Sequence, residues 1–207
     1  MVVNLANLLS IETAENGTRQ LAALTLKTEL DKYFVRVNPQ TIEHIKQKLT
    51  ITFVQQNLDQ RVAKAVSQLM SMIVHTGGFN VWPDLLNFLS HNLQLQIDSV
   101  GQASYNATIL ENSMHTISII VEDCSDQLKE TKYEALVTQM FPPICKLINT
   151  QYSEDIVASA INSVNMLLLT ESEIVIQNKD EYFTVLLGLG LQVAQQQGNM
   201  KAKWRVI

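Results

Sequence analysis

The chain has 207 residues, 46% of them hydrophobic, with 7 glycines and 4 prolines. That apolar fraction excludes wholesale disorder, and so few turn residues argue against a sandwich or barrel of short strands. A net charge of −5 gives no electrostatic basis for nucleic-acid binding.

The elements follow in chain order. Residues 2–10 carry a short apolar pattern that reads as part of a helix pair. From about Asn16 to Phe34, Ala22, Leu26 and Leu30 share one stripe, with Leu24 beside it. Residues 39–56 open with Pro39 at a favourable first-turn position. Val62, Val66, Leu69, Met70 and Ile73 then mark the clearest amphipathic helix, with Asp59 placed to cap its start. Residues 81–95 carry Val81, Leu85, Phe88 and Leu89, and 105–124 carry Leu110, Met114, Ile117 and Val121. Residues 131–149 carry Tyr133, Leu136, Val137, Met140, Ile144 and Leu147, with Pro142-Pro143 expected to break or kink that helix. Residues 153–169 carry Val157, Ile161, Val164 and Leu168, and 180–193 resemble another partial pair.

These helices alternate as pairs. The second helix of each pair is expected near residues 17, 59, 103 and 153, at intervals of 42, 44 and 50. That period matches HEAT or armadillo arrays, in which one pair cannot bury both its faces and stacking supplies the core. An ordinary helical bundle is the competing reading, and it requires no fixed period. The expectation is an all-α chain of HEAT/ARM-type repeats over 1–194, with approximate repeats 2–34, 39–75, 81–125 and 131–169, a partial repeat 180–193, and an irregular tail 195–207.

No catalytic constellation stands out. His44, His75, His91 and His115 have no ligand spacing, and there is no phosphate loop or nucleophile elbow. Cys124 and Cys145 match no zinc or redox motif. The expectation is therefore a binding protein, not an enzyme, with no cofactor and no metal. No run approaches 18 apolar residues, so no membrane span is expected, and the start does not read as a signal peptide. The charge is uneven. Residues 65–128 contain 6 acidic side chains and no Lys or Arg. That stretch reads either as a solvated acidic face or as a surface that meets a basic partner.

Four segments resemble the importin-β superfamily of nuclear transport receptors, in order and in spacing. Arg19–Lys27, RQLAALTLK, is similar to the R-x-x-A-x-x-x-L-K-N helix of an early repeat, with Thr28 where Asn is usual. Asp59–Val66, DQRVAKAV, resembles the next repeat. Phe79–Leu86, FNVWPDLL, resembles the family's W-P-[ED]-L-[LI] segment, and Leu110-Glu111 with Ile117, Glu122 and Asp123 resembles L-E-x-L-x-x-I-x-E-D. With Phe141–Ile144, FPPI, the likeness over 2–193 points to the transportin branch.

The resemblance implies a right-handed α-α superhelix whose second helices line the inner face. It implies that these N-terminal repeats bind the small GTPase Ran in its GTP form. It also implies that cargo binds a C-terminal arch absent here, that nucleoporins are further partners, and that the protein shuttles between cytoplasm and nucleus. Lys27 matches the L-K position and Glu111 the L-E position, and Arg61 and Lys64 lie on the second helix of their repeat. These four are the candidate partner-binding residues. Arg61 also has a structural reading, as a bridge between stacked helices. The start looks short of the family's opening helix, and after Gln195 the repeat pattern is lost. Lys201, Lys203, Trp204 and Arg205 read as an unstructured end. The alternative function is a HEAT-repeat scaffold for complex assembly that ignores nucleotide state.

Overall fold

The computed structural model describes residues 1–149 and 151–195. Among these residues there is no strand, and the α-helices are ten in number. They are α1 (Val2–Ser10), α2 (Asn16–Tyr33), α3 (Pro39–Phe53), α4 (Gln60–Gly77), α5 (Leu85–Asp98), α6 (Ala107–Asp123), α7 (Ser125–Leu128), α8 (Glu134–Lys146), α9 (Glu154–Leu168) and α10 (Glu173–Gln195). The chain divides into two compact units, Met1–Cys124 and Ser125 onward.

In the first unit the helices form three pairs, α1–α2, α3–α4 and α5–α6. The second helices α2, α4 and α6 stack side by side, and α1 packs on both α2 and α3. This is all-α HEAT-type packing. With α9 included, second helices begin at 16, 60, 107 and 154, at intervals of 44, 47 and 47 residues. The third starts four residues later than the expected 103, which removes the irregular 50-residue step.

Local chemistry sets the helix starts. Asn38 accepts from the Gln40 N–H at 2.8 Å just before Pro39. Asp59 accepts from the Arg61 N–H at 2.9 Å, as the sequence suggested. Asn106 accepts from the Ile109 N–H at 3.2 Å. Each satisfies a backbone donor that the first helical turn leaves open. Helix α1 has only nine residues and is too short to hold by itself in water. Ala6 and Leu9 bury completely, and α1 packs on α2 and α3 as the first helix of the α1–α2 pair.

Helix α4 is the centre of the first unit. All of Val62, Val66, Leu69, Met70 and Ile73 are buried. Ala63, Ser67 and Ser71 are buried as well, and these small side chains let α6 approach. The seam between α4 and α6 is polar. Ser67 Oγ lies 2.7 Å from Thr116 Oγ1, Ser71 donates to the Asp123 carboxylate at 2.6 Å, and His75 Nδ1 lies 2.9 Å from the Asp123 carbonyl.

The link between α4 and α5 corrects one expectation. Val81 belongs to a 3-10 turn, Phe79–Val81, and α5 starts only at Leu85. Trp82 has non-helical backbone and Pro83 has no N–H to donate, so helix cannot form through them. Trp82 is buried, with Lys46 of α3 beside its ring at 5.9 Å from the centroid. The same Lys46 ammonium donates to the Val81 carbonyl at 2.9 Å and pairs with Glu43.

The second unit contains α7 to α10, with α8 packed on α9 and α10 on both. Pro142 and Pro143 do not break α8, which runs through them to Lys146. Their missing N–H groups leave without a helical donor the carbonyls four residues earlier, those of Thr138 and Gln139, and both of these residues are exposed to solvent. In α9 the buried stripe is Ile156, Val157, Ala160, Val164 and Leu167; the expected Ile161 and Leu168 are half-buried. Helix α10 starts at Glu173, not near 180, and its first turn is capped by the Glu134 carboxylate, which accepts from the Glu173 N–H at 3.1 Å. Tyr182 buries its ring and donates to Asn165 Oδ1 at 3.1 Å. The tail, from residue 196, including Lys201, Lys203, Trp204 and Arg205, lies outside the described residues.

Candidate partner-binding face

The first unit turns one side of α2, α4 and α6 to solvent. On α4 the exposed stripe is Arg61, Lys64 and Gln68. On α6 it is Glu111 and Glu122, with half-buried His115 and Ile119 between them. On α2 it is Leu21, Leu24 and Thr28. In each helix the spacing of three or four residues keeps these positions on one side.

The Ser67–Thr116 hydrogen bond, at 2.7 Å, sets the register of α4 against α6. On that register α4 presents Arg61, Lys64 and Gln68 beside Glu111, His115 and Ile119 of α6, while α2 packs on the other flank of α4. Arg19 feels the charge of Asp59, and His115 feels the charge of Lys64. The face carries two exposed leucines on α2, is cationic on α4 and is mainly anionic on α6. Burial pulls the His115 imidazole below its ordinary value of 6.5, and the Lys64 ammonium lowers it further. Both effects favour the neutral ring.

Of the four residues singled out from the sequence, Arg61, Lys64 and Glu111 share this face. Lys27 is half-buried and sits one position round the helix from Leu24 and Thr28. Arg61 does not bridge stacked helices. Its guanidinium turns back to Asp59 at 3.3 Å, at the start of its own helix. Arg61 in turn holds the Asp59 carboxyl below its ordinary range by hydrogen bonding.

The bridging role belongs to Arg19. Its side chain is 3% exposed. Nε donates to the Leu9 carbonyl at 2.9 Å, and Nη2 donates to Gln55 Oε1. Gln55 Nε2 donates to the Ser10 carbonyl at 3.2 Å. One arginine thus joins the end of α1, the start of α2 and the turn after α3. Burial lowers its pKa, opposed by the charges of Glu12 and Asp59.

The acidic residues of the cation-free stretch are not brought together. Glu111 and Glu122 stay on the open face. Asp123 turns to Ser71, and Asp126 pairs with Lys129 at 2.8 Å. Leu24, expected beside the core stripe, is exposed, and so is Leu21. The signal for Leu21 was present: it falls off the Ala22–Leu26–Leu30 stripe. Among the described residues, no group of His, Cys, Asp and Glu side chains is arranged to hold a metal ion. None of the described helices is long and apolar enough to cross a membrane.

The fold is that of a helical-repeat protein, built from stacked HEAT-type pairs. Residues 1–55 match the model of the Importin-beta N-terminal domain. That span contains Leu9, Arg19 and Gln55, the three parts of the arginine bridge. The chain is also 27% identical over 126 residues to a transportin of Dictyostelium discoideum, covering 61% of this chain and 12% of that protein. The first 55 residues thus resemble an importin-β N-terminal domain, and the sequence is similar to a transportin. It spans only about an eighth of the length of the transportin it matches.

Proposed function

We propose that the open face of α2, α4 and α6 binds a Ran-type small GTPase in its GTP form, as part of a nuclear import receptor. The observation that carries this reading is the exposed charge on the stacked second helices α4 and α6. On this reading Arg61 and Lys64 of α4 and Glu111 of α6, all exposed, are contacts for the partner, with Lys27 on α2 as a flanking one. The family match supplies the class of partner. On this reading residues 1–194 act as one N-terminal array and the protein moves between cytoplasm and nucleus. Cargo engages a C-terminal arch outside this chain, and nucleoporins are contacted during passage.

The test is a binding measurement with Ran loaded with GTP or with GDP. The GTP form is expected to bind and the GDP form to bind far more weakly. Charge reversal at Lys64 is expected to weaken the complex, chiefly by slowing association. Equal binding of the two nucleotide states favours the alternative, a scaffold that ignores nucleotide, for which Thr28 in place of the usual Asn on α2 is the supporting residue. Binding of neither state removes the GTPase reading.

A further inference from the structure

The apolar row on α2 has the properties of a docking anchor. Leu21 is 65% exposed and Leu24 39% exposed, although both belong to an 18-residue helix whose other large aliphatic side chains are buried. They lie three positions apart, so their side chains cover one continuous patch of helix surface. Both lie on the helix that packs beside α4, whose exposed stripe carries the cations Arg61 and Lys64. The row beyond these is anionic, beginning at Glu111. Across three helices the surface therefore changes from apolar to positive to negative. A surface ordered in this way discriminates by orientation as well as by composition, because a reversed partner would bring like charges together.

We propose that Leu21 and Leu24 are the apolar anchor of this face, taking an apolar side chain of the partner while a carboxylate-rich edge of the partner lies over Arg61 and Lys64. The inference rests on the GTPase reading and adds to it the residues that hold the partner and the direction in which it docks. The occupant follows from charge complementarity. On α4, beside the leucines, stand the exposed cations Arg61 and Lys64, one turn apart, of which Arg61 is already engaged by Asp59; the exposed carboxylate of α2, Asp31, lies seven positions beyond Leu24. A pair of exposed apolar side chains beside charged ones is the kind of site in which a few residues dominate binding.

The test uses the whole chain and Ran loaded with a non-hydrolysable GTP analogue, with affinity and rates read by surface plasmon resonance. The double variant Leu21→Ser, Leu24→Ser is expected to bind at least about tenfold more weakly, mainly through faster dissociation. Both side chains are exposed, so the fold is retained, and circular dichroism checks this. Leu95→Ser is the control, since Leu95 is 48% exposed on α5, off this face. It is expected to leave affinity unchanged. Arg61→Glu with Lys64→Glu is expected to slow association and to flatten its salt dependence.

Binding by the natural chain that the leucine variant leaves unchanged overturns the anchor and leaves the GTPase reading standing. Absence of binding in either nucleotide state overturns both. A self-dimer abolished by the leucine variant, seen by light scattering, assigns the patch to a second copy of the chain and also overturns the proposal.

Discussion

Arg19 and Arg61 each stand near the start of a second helix, and at the residue scale their surroundings separate them. Arg19 is buried, and its donors complete the Leu9 carbonyl and the Gln55 amide. Arg61 is exposed and is held only by Asp59. A buried acceptor left without its donor costs about 1–3 kcal/mol. Arg19→Ala is therefore expected to lower stability by about 3 kcal/mol in urea denaturation, because two acceptors lose their partner together. Arg61→Ala is expected to stay within about 0.5 kcal/mol, as surface substitutions do. His115 gives a pH signature. Its folded pKa is depressed by burial and by Lys64, so the unfolded chain binds the proton more readily. The stability it contributes is fully present above the ordinary value of 6.5 and is lost as pH falls through the folded pKa. His115→Gln should flatten that acid limb in denaturation curves recorded from neutral pH downward. An unchanged limb would assign the acid sensitivity to other groups.

At the element scale, the turns are defined by close approach. Gly77 ends α4 where the Phe34 ring comes in from the end of α2 and Val81 returns from the 3-10 turn. A Cβ placed on Gly77 would meet Val81 Cγ2 at 2.7 Å and the Phe34 ring at 2.8 Å. The next residue, Gly78, adopts φ 75°, which a side chain disfavours. Gly77→Ala is expected to cost about 1–3 kcal/mol by overpacking, read as a lower denaturation midpoint with unchanged helix content. The helices themselves were legible as periodic apolar stripes, and α4 most of all. Less legible were the start of α5 and the passage of α8 through Pro142 and Pro143. Helix boundaries depend on which backbone groups find partners, and that is a property of neighbours in space. The helix α10 cap by Glu134 illustrates this, since donor and acceptor are 39 residues apart.

On the scale of the whole molecule, the chain consists of two compact units, each with its own core. Cys124 closes the first, 1% exposed, with its thiol pushed up to about 12 by burial and then by the Asp123 charge. Only the thiolate reacts with alkylating reagents at a useful rate. Cys124 is therefore expected to remain unmodified in the native chain while half-buried Cys145 in the second unit reacts first. Mass spectrometry after timed alkylation checks the order. Slow modification of Cys124 would then report opening of the first unit. Modification of Cys124 at the rate of a free thiol would show that this unit opens under native conditions.

The sequence by itself determined the helix-pair architecture, the approximate repeat period and the cap at Asp59, because these depend on spacing and on chemistry within a few residues. It also placed Arg61, Lys64 and Glu111 on second helices. Only the tertiary structure decided which arginine is buried, which acidic residues remain open, and that Leu21 and Leu24 face solvent. A leucine in a helix contributes to the core or to a surface according to what packs against that side. The periodicity of α2 gives the sides of the helix, but the burial of one side and the exposure of the other follow from the stacking of α4 and α1 upon it.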